Sequence, residues 1–439
     1  MALRLTVIGA GYLGVTHAAC MAELGYDVLA VEIDSDKVAT LAQGRIAFYE
    51  PDLQELLSRH VASGRLRFTS SPAEAAAFGD VHFVCVGTPQ RRDGLAADLS
   101  QVDAAIDQLA PHLDGRCLVV GKSTVPVGTA ARLSERLAAH APPGSDVELA
   151  WNPEFLREGK AVRDTLAPDR LVFGVQSAAA EKVLRELYAP VLDQGIPLVV
   201  TDPTTAELVK VAANSFLATK ISFINAMSEL CEATGADVVA LADAIGHDPR
   251  IGRSFLDAGL GFGGGCLPKD IRAFMARAGE LGVDQALTFL REVDAINMRR
   301  RYRMVDLATQ ECDGRILGTR IGVLGAAFKP LSDDVRDSPA LNVAAQLQLQ
   351  GAHVRVYDPQ ANAKAAALFP TLDYSDSAVE AATGADLVLM LTEWREFCEL
   401  DPDTLGAVVA RKRLLDGRNA LDPERWRAAG WTYRALGRP

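Results

Sequence analysis

The first thirty-odd residues constrain the fold most tightly. Leu3 to Ile8 is a short β-rich run that leads into Gly9-Ala10-Gly11-Tyr12-Leu13-Gly14 and then an apolar helical stretch, Val15 to Leu24. Gly25 stops that helix, and Asp27 to Val31 forms a second strand-like run closed by Glu32. The pattern is a βαβ unit with GxGxxG spacing at its first turn. Its glycines allow a tight turn and close approach of a pyrophosphate to a helix N-terminus, where free N–H groups and the helix dipole favour anions. Glu32 can accept both hydroxyls of a ribose and would repel a 2′-phosphate, which selects NAD over NADP. GxGxxG alone is weak evidence, and the alternative is a purely structural glycine turn.

The chain of 439 residues exceeds what one core usually holds, so two or three domains are expected. Further strand-like runs alternate with helices at Val81 to Val86, Cys117 to Lys122, Glu148 to Trp151, Leu171 to Val175 and Pro197 to Val200. Two of them end in Gly87-Thr88-Pro89 and Ser123-Thr124-Val125-Pro126. Ligands of doubly wound sheets sit at strand carboxyl ends, which puts Thr88 and Thr124 at a cofactor crevice; the alternative is an ordinary threonine turn before proline. From Thr204 to about Thr234 there is neither proline nor glycine, and a helix of that length spans about 45 Å. Glu207, Lys210 and Asn214 share one of its faces, and the apolar neighbours of Lys210 imply partial burial.

After a second helical region near Gln285 to Tyr302, another α/β unit begins at Arg320, with strand-like runs at Ile321 to Leu324, His353 to Tyr357, Asp386 to Leu391 and Arg413 to Leu415. Its first turn, Gly325-Ala326-Ala327-Phe328-Lys329, lacks GxGxxG spacing, so no second dinucleotide is expected there. Lys329, Arg336 and Arg418 lie near strand ends, where cations can meet a phosphate-bearing ligand. The net charge of −12 argues against sequence-independent nucleic-acid binding. No apolar run is long enough to span a bilayer, and no signal-peptide pattern is present. Seven scattered cysteines show neither a disulfide framework nor metal-ligand spacing; no metal is expected, and a reducing cytoplasm fits.

One cysteine stands apart. Gly261-Phe262-Gly263-Gly264-Gly265-Cys266-Leu267-Pro268-Lys269-Asp270 sets a thiol among four glycines, with a cation and a carboxylate just beyond. A buried structural cysteine needs no such setting, and Lys269 can favour a thiolate. The alternative is a glycine-rich turn whose cysteine is incidental.

These motifs, with Asn152-Pro153-Glu154-Phe155-Leu156-Arg157-Glu158-Gly159 and Lys220-Ile221-Ser222-Phe223, occur in an order that resembles the UDP-glucose/GDP-mannose dehydrogenase family over nearly the whole chain. The resemblance implies an α/β fold of two Rossmann-like doubly wound domains joined by a long central helix and a helical dimerisation region. Domain limits would be 1–200 for NAD binding, 201–300 for the helical part and 315–439 for the UDP-sugar domain. It implies a four-electron oxidation of a primary alcohol to a carboxylate with release of two NADH, with UDP-glucose favoured as substrate over GDP-mannose or a UDP-N-acetylhexosamine. By carry-over, Cys266 would be the nucleophile, Lys210 and Asn214 would face the developing oxyanion, and Asp270, Thr124 and Glu158 would order water and the nicotinamide end.

NAD would be held by Gly9, Gly11, Tyr12, Leu13, Gly14, Glu32, Lys37, Thr88, Thr124, Glu158, Lys269 and Arg336. Substrate would meet Glu154, Phe155, Leu156, Lys210, Asn214, Phe262, Gly263, Lys329 and Arg418, with Arg250 contributed across a homodimer interface. The chain departs from the family pattern in three places: Glu32 stands where aspartate is usual, Gly265 where serine is common, and Val211 where an aromatic often follows the lysine. The Gly265 departure is expected to loosen the loop. Two other functions remain open at this stage: a two-electron hydroxyacid-type dehydrogenase without a covalent step, and a nucleotide-sugar or NAD-binding module without turnover.

Overall fold

The computed structural model describes residues 3–438. The chain divides into two compact units, Met1–Ala213 with Arg272–Gly282, and Asn214–Ile271 with Val283–Pro439. Of the three chain boundaries, two fall inside helices, between Ala213 and Asn214 of Pro203–Thr234 and between Ile271 and Arg272 of Leu267–Glu280, and the third follows Gly282, beyond the second helix.

The first unit holds an eight-stranded sheet of β1 (Arg4–Ile8), β2 (Asp27–Val31), β3 (Leu66–Thr69), β4 (Val81–Val84), β5 (Arg116–Gly121), β6 (Asp146–Trp151), β7 (Leu171–Gly174) and β8 (Leu198–Thr201). Its order is β3-β2-β1-β4-β5-β6-β7-β8, parallel except where β6 meets β7. The first six strands therefore have the 3-2-1-4-5-6 order of dinucleotide-binding sheets, in which β1 and β4 flank the topological switch point. Successive β1 residues serve opposite layers: Leu5 and Val7 pack in one core, Ile8 in the other. A sheet buried on both faces needs continuous apolar strands, and Val81–Val84 is buried throughout.

The second unit repeats the order in β9 (Arg320–Leu324), β10 (His353–Tyr357), β11 (Asp373–Tyr374), β12 (Leu387–Met390), β13 (Arg413–Asp416) and β14 (Thr432–Ala435), aligned β11-β10-β9-β12-β13-β14 and parallel throughout. The turn after β9 differs from the one after β1 in a chemically telling way. Asp358, next after β10, sends its carboxylate to the amides of Ala326 and Ala327 at 2.8 and 2.9 Å and to the Trp394 indole at 3.0 Å. The protein's own carboxylate thus takes the amides that an incoming phosphate would use.

The helix expected from Thr204 runs from Pro203 to Thr234, 32 residues. The one expected at 285–302 runs instead over Phe289–Glu311, preceded by a short 3-10 turn at Asp284–Leu287. Among the described residues, no helix is long and apolar enough to cross a membrane.

Candidate active site

The turn after β1 has the shape its glycines require. Gly9 sits at φ +95°, and a Cβ there would approach Val86 Cγ1 to 2.8 Å. A Cβ on Gly14 would overlap the Gly9 carbonyl oxygen, so the helix Tyr12–Glu23 can pack this closely only on glycine. Gly11 caps that helix without any side-chain hydrogen bond, and the space a Cβ would fill there is open to 4 Å. An open cradle at a helix N-terminus fits a pyrophosphate. Glu32, next after β2, accepts the Asp34 amide at 3.2 Å and lies 3.6 Å from Lys37. It stands in the position that reads a ribose, and these residues fit NAD. Leu13 lies in the helix's first turn, and the Thr88 hydroxyl donates to the Thr124 carbonyl at 2.8 Å, tying together the turns after β4 and β5.

Lys210 is 5% exposed and its ammonium donates to Glu154 at 2.9 Å. The sequence implied only partial burial; its apolar neighbours in fact bury it almost fully. The same ammonium lies 5.7 Å from the centre of the Phe155 ring, and Arg170 stacks on that ring at 3.8 Å. Glu154 also accepts the Leu156 amide at 2.8 Å, which folds the segment back on itself. One turn earlier on the long helix, Glu207 accepts from the amides of Gly128 at 2.7 Å and Ala130 at 2.5 Å, at the N-terminus of the helix Thr129–His140. Burial raises the Glu207 carboxyl to about 7 against the pull of those amides and of Arg277.

In the second unit, Cys266 is exposed and immediately precedes the 14-residue helix Leu267–Glu280. Its carbonyl accepts the Asp270 amide at 2.9 Å, the first bond of that helix, so the thiol stands at the helix N-terminus, where the dipole favours a thiolate. Asp270, 2% exposed, accepts from Asn214 Nδ2 at 2.6 Å and from Lys269 Nζ at 2.6 Å. Lys269, expected at the cofactor, is thus directed to Asp270. The loop before the thiol is pinned at several points. Asn297 bonds both backbone groups of Phe262 at 2.7 and 3.0 Å, and the Gly264 amide donates to the Arg336 carbonyl at 2.9 Å. A Cβ on Gly263 would meet Pro339 Cδ at 2.7 Å, and one on Gly264 would meet the Phe328 ring at 2.8 Å. At Gly265, where a looser loop was expected, the space a side chain would need is filled by the Arg336 guanidinium, itself bound by Asp334 at 2.7 and 2.9 Å.

The remaining cations take distinct positions. Arg418 follows β13 and donates to three carbonyls, Leu391 at 2.8 Å, Phe328 at 3.0 Å and Gly261 at 3.2 Å. Lys329 lies 5.4 Å from the Phe328 ring centre. Arg250 is largely exposed and bonded to Asp248 at 2.6 Å.

Several residues that organise this region escaped the sequence reading. Glu50, 3% exposed, accepts from the amides of Gly159 and Ala161 at 2.6 and 2.7 Å and from the Tyr12 hydroxyl. Lys122, 7% exposed, donates to Asn152 Oδ1 at 2.9 Å, and Tyr188 donates to the same oxygen at 2.7 Å. Asp164 receives Arg157 through two guanidinium nitrogens and the amide, at 2.6 to 2.9 Å. Lys122 carries one sequence signal, a charge closing the apolar run from Cys117 to Gly121; Glu50, followed by Pro51 and Asp52, carries none.

A doubly wound sheet in this order, with a GxGxxG turn after β1 and a carboxylate closing β2, is the architecture of the NAD-binding domain of dehydrogenases. Residues 3–192 match the NAD-binding domain of the UDP-glucose/GDP-mannose dehydrogenase family, 204–299 its central domain and 322–423 its UDP-binding domain, and the chain belongs to that family. A UDP-glucose 6-dehydrogenase of Rhizobium meliloti (strain 1021) is 43% identical over 439 residues, covering 100% of both chains. One of Pseudomonas aeruginosa is 43% identical, covering 100% of this chain and 98% of its own. The solved UDP-glucose dehydrogenase of the hyperthermophilic archaeon Pyrobaculum islandicum superposes with a TM-score of 0.91 at 38% identity, covering 100% of this chain and 98% of that one.

Proposed function

We propose that the protein oxidises the 6-hydroxymethyl group of UDP-glucose to the carboxylate of UDP-glucuronate in two hydride transfers, with Cys266 as covalent nucleophile. The observation that carries the chemistry is the exposed Cys266 thiol at the N-terminus of a 14-residue helix, one turn from the buried Asp270. The naming of full-length relatives as UDP-glucose 6-dehydrogenases supports the sugar.

NAD supplies the hydride acceptor for each step. In the first step the alcohol loses a proton and a hydride and becomes an aldehyde. An aldehyde has no hydride to give until something adds to its carbonyl, so the Cys266 thiolate forms the C–S bond and the carbonyl oxygen takes up negative charge. The Lys210 ammonium and the Asn214 amide are the donors proposed for that oxygen; each well-placed donor is worth about 3–4 kcal/mol in a site that excludes water. Loss of the second hydride turns the thiohemiacetal into a thioester. Water then breaks the C–S bond, Asp270 receiving its proton with Thr124 and Glu158 ordering the water, and the thiolate is restored. Two substrate electron pairs leave as two NADH.

We further propose a homodimer. Phe216, Phe223 and Leu230 are 67%, 48% and 58% exposed and recur every seven residues along the long helix, a spacing that suits pairing with the same stripe on a second copy. Arg250, exposed on the same unit, would reach the partner's substrate. The cofactor, the sugar nucleotide and the absence of disulfides among the seven cysteines fit a cytoplasmic enzyme.

The test is an NADH-release screen over UDP-glucose, UDP-galactose, GDP-mannose and UDP-N-acetyl sugars. The proposal expects kcat/KM for UDP-glucose to exceed that for each other sugar by about tenfold or more. A higher value for GDP-mannose or a UDP-N-acetyl sugar would replace the substrate assignment.

A further inference from the structure

Residues 152–160, which carry Glu154, Phe155, Leu156 and Glu158, form neither strand nor helix. A segment without a ladder of backbone bonds stays in one place only if its polar groups are tied down individually. Two buried side chains of opposite charge tie its two ends. At the start, the Lys122 ammonium and the Tyr188 hydroxyl converge on Asn152 Oδ1 at 2.9 and 2.7 Å, while Asn152 Nδ2 donates to the Val172 carbonyl at 2.9 Å. At the end, the Glu50 carboxylate accepts the amides of Gly159 and Ala161 at 2.6 and 2.7 Å, together with the Tyr12 hydroxyl.

Both anchors are joined to segments of the proposed cofactor site. Lys122 directly precedes Ser123-Thr124 at the end of β5, and Tyr12 is part of the fingerprint turn itself. Neither charge is a natural choice for stability, since burying an ion costs several kcal/mol that a packed apolar residue does not. Lys122 bears that cost visibly: burial pulls its pKa down to about 8, and its neighbour His17 is buried with both ring nitrogens unpartnered. Ions kept in such places are better explained by the geometry they impose than by the energy they contribute.

We propose that Glu50 and Lys122 are positioning residues for the oxidation, clamping the two ends of the 152–160 segment and so setting where Glu154 and Glu158 stand relative to the fingerprint turn. The catalytic consequence rests on the function proposed above; the clamp itself does not.

The experiment compares wild type with Glu50→Gln, Lys122→Met and the milder Tyr12→Phe. Glu50→Gln keeps the shape but removes the charge and turns an NH2 group toward one of the two N–H donors, since Gly159 and Ala161 bond different carboxylate oxygens, and Lys122→Met keeps the volume but removes the ammonium. Hydrogen–deuterium exchange of the peptide spanning 152–161 needs no substrate. The clamp requires that peptide to exchange about tenfold faster or more in the first two variants, and measurably faster in Tyr12→Phe, with the strands of the same unit unchanged. Unchanged exchange at 152–161, or equal acceleration across the whole unit, overturns it. In turnover of UDP-glucose, kcat should fall about tenfold or more with KM for UDP-glucose within about threefold, because misplacement costs rate rather than binding. A lowered unfolding midpoint with unaltered kcat would make the two residues merely structural. Localised faster exchange in an enzyme that does not oxidise UDP-glucose would leave the clamp standing and remove the reading of function instead.

Discussion

Glu207 makes a stability prediction whose sign is not obvious from its contacts. Its carboxylate caps the helix Thr129–His140 with two backbone bonds, and Arg277 stands near; each charge-assisted bond to a carboxylate is worth about 1.5–3 kcal/mol. Burial opposes them and wins, raising the group from its ordinary 4.5 to about 7. A carboxyl whose folded pKa lies above its unfolded value stabilises the fold when protonated. Its contribution is fully present below 4.5 and is lost as pH rises through about 7. Between about pH 7.5 and pH 5 the linkage amounts to about 2.5 kcal/mol in favour of the acid condition. Glu207→Gln cannot titrate, so it carries a constant offset and lacks this slope. Urea unfolding of both proteins at the two pH values, taken as a double difference, isolates the group from every other titration. Wild type should gain about 2.5 kcal/mol on the variant as pH falls. A flat difference, or a gain for wild type as pH rises, would mean that the amides and Arg277 hold the carboxylate ionised and that burial does not dominate.

Other outcomes follow from the site. Gly11→Ala should leave stability within about 0.5 kcal/mol, because its Cβ enters open space, yet weaken NADH binding about tenfold or more by occupying the phosphate approach; Gly14→Ala should lose about 2–3 kcal/mol through overlap with the Gly9 carbonyl. Chemical denaturation and NADH fluorescence titration measure the two effects separately. Cys266→Ser should lower complete turnover about a hundredfold or more, since an alcohol is a poor nucleophile at neutral pH; two NADH at the wild-type rate would exclude a covalent cysteine step. Arg250→Ala should lose activity that is partly regained on mixing with a Cys266→Ser subunit, and failure of any mixture to recover activity would argue against sharing of the site.

What the sequence disclosed and what it concealed follow one physical division. The βαβ start, the long helix and the thiol loop depend on neighbours within about a dozen residues, so spacing and glycine placement reveal them. Three strands had no comparable signal: β11 is two residues long, and β3 and β14 alternate apolar and polar residues over four positions instead of showing the apolar run that reveals β12 at the same length. The burial of Lys210 was legible in part from its apolar neighbours, but its partner Glu154 lies 56 residues away. Glu50 was invisible for the same reason, with bonds reaching 109 and 111 residues along the chain, and Lys122 meets Asn152 across 30 and Tyr188 across 66. Gly265 shows the limit from the other side. A missing side chain suggested looseness, whereas a guanidinium 71 positions later occupies the space it leaves.

The central claim is that one active site carries a primary alcohol through two oxidations before releasing it. The most direct measurement supplies limiting UDP-glucose with excess NAD and follows absorbance to its end point, with the product identified by mass. The account requires two NADH for each UDP-glucose consumed and UDP-glucuronate as the product. One NADH per sugar, with the aldehyde accumulating in solution, would contradict it.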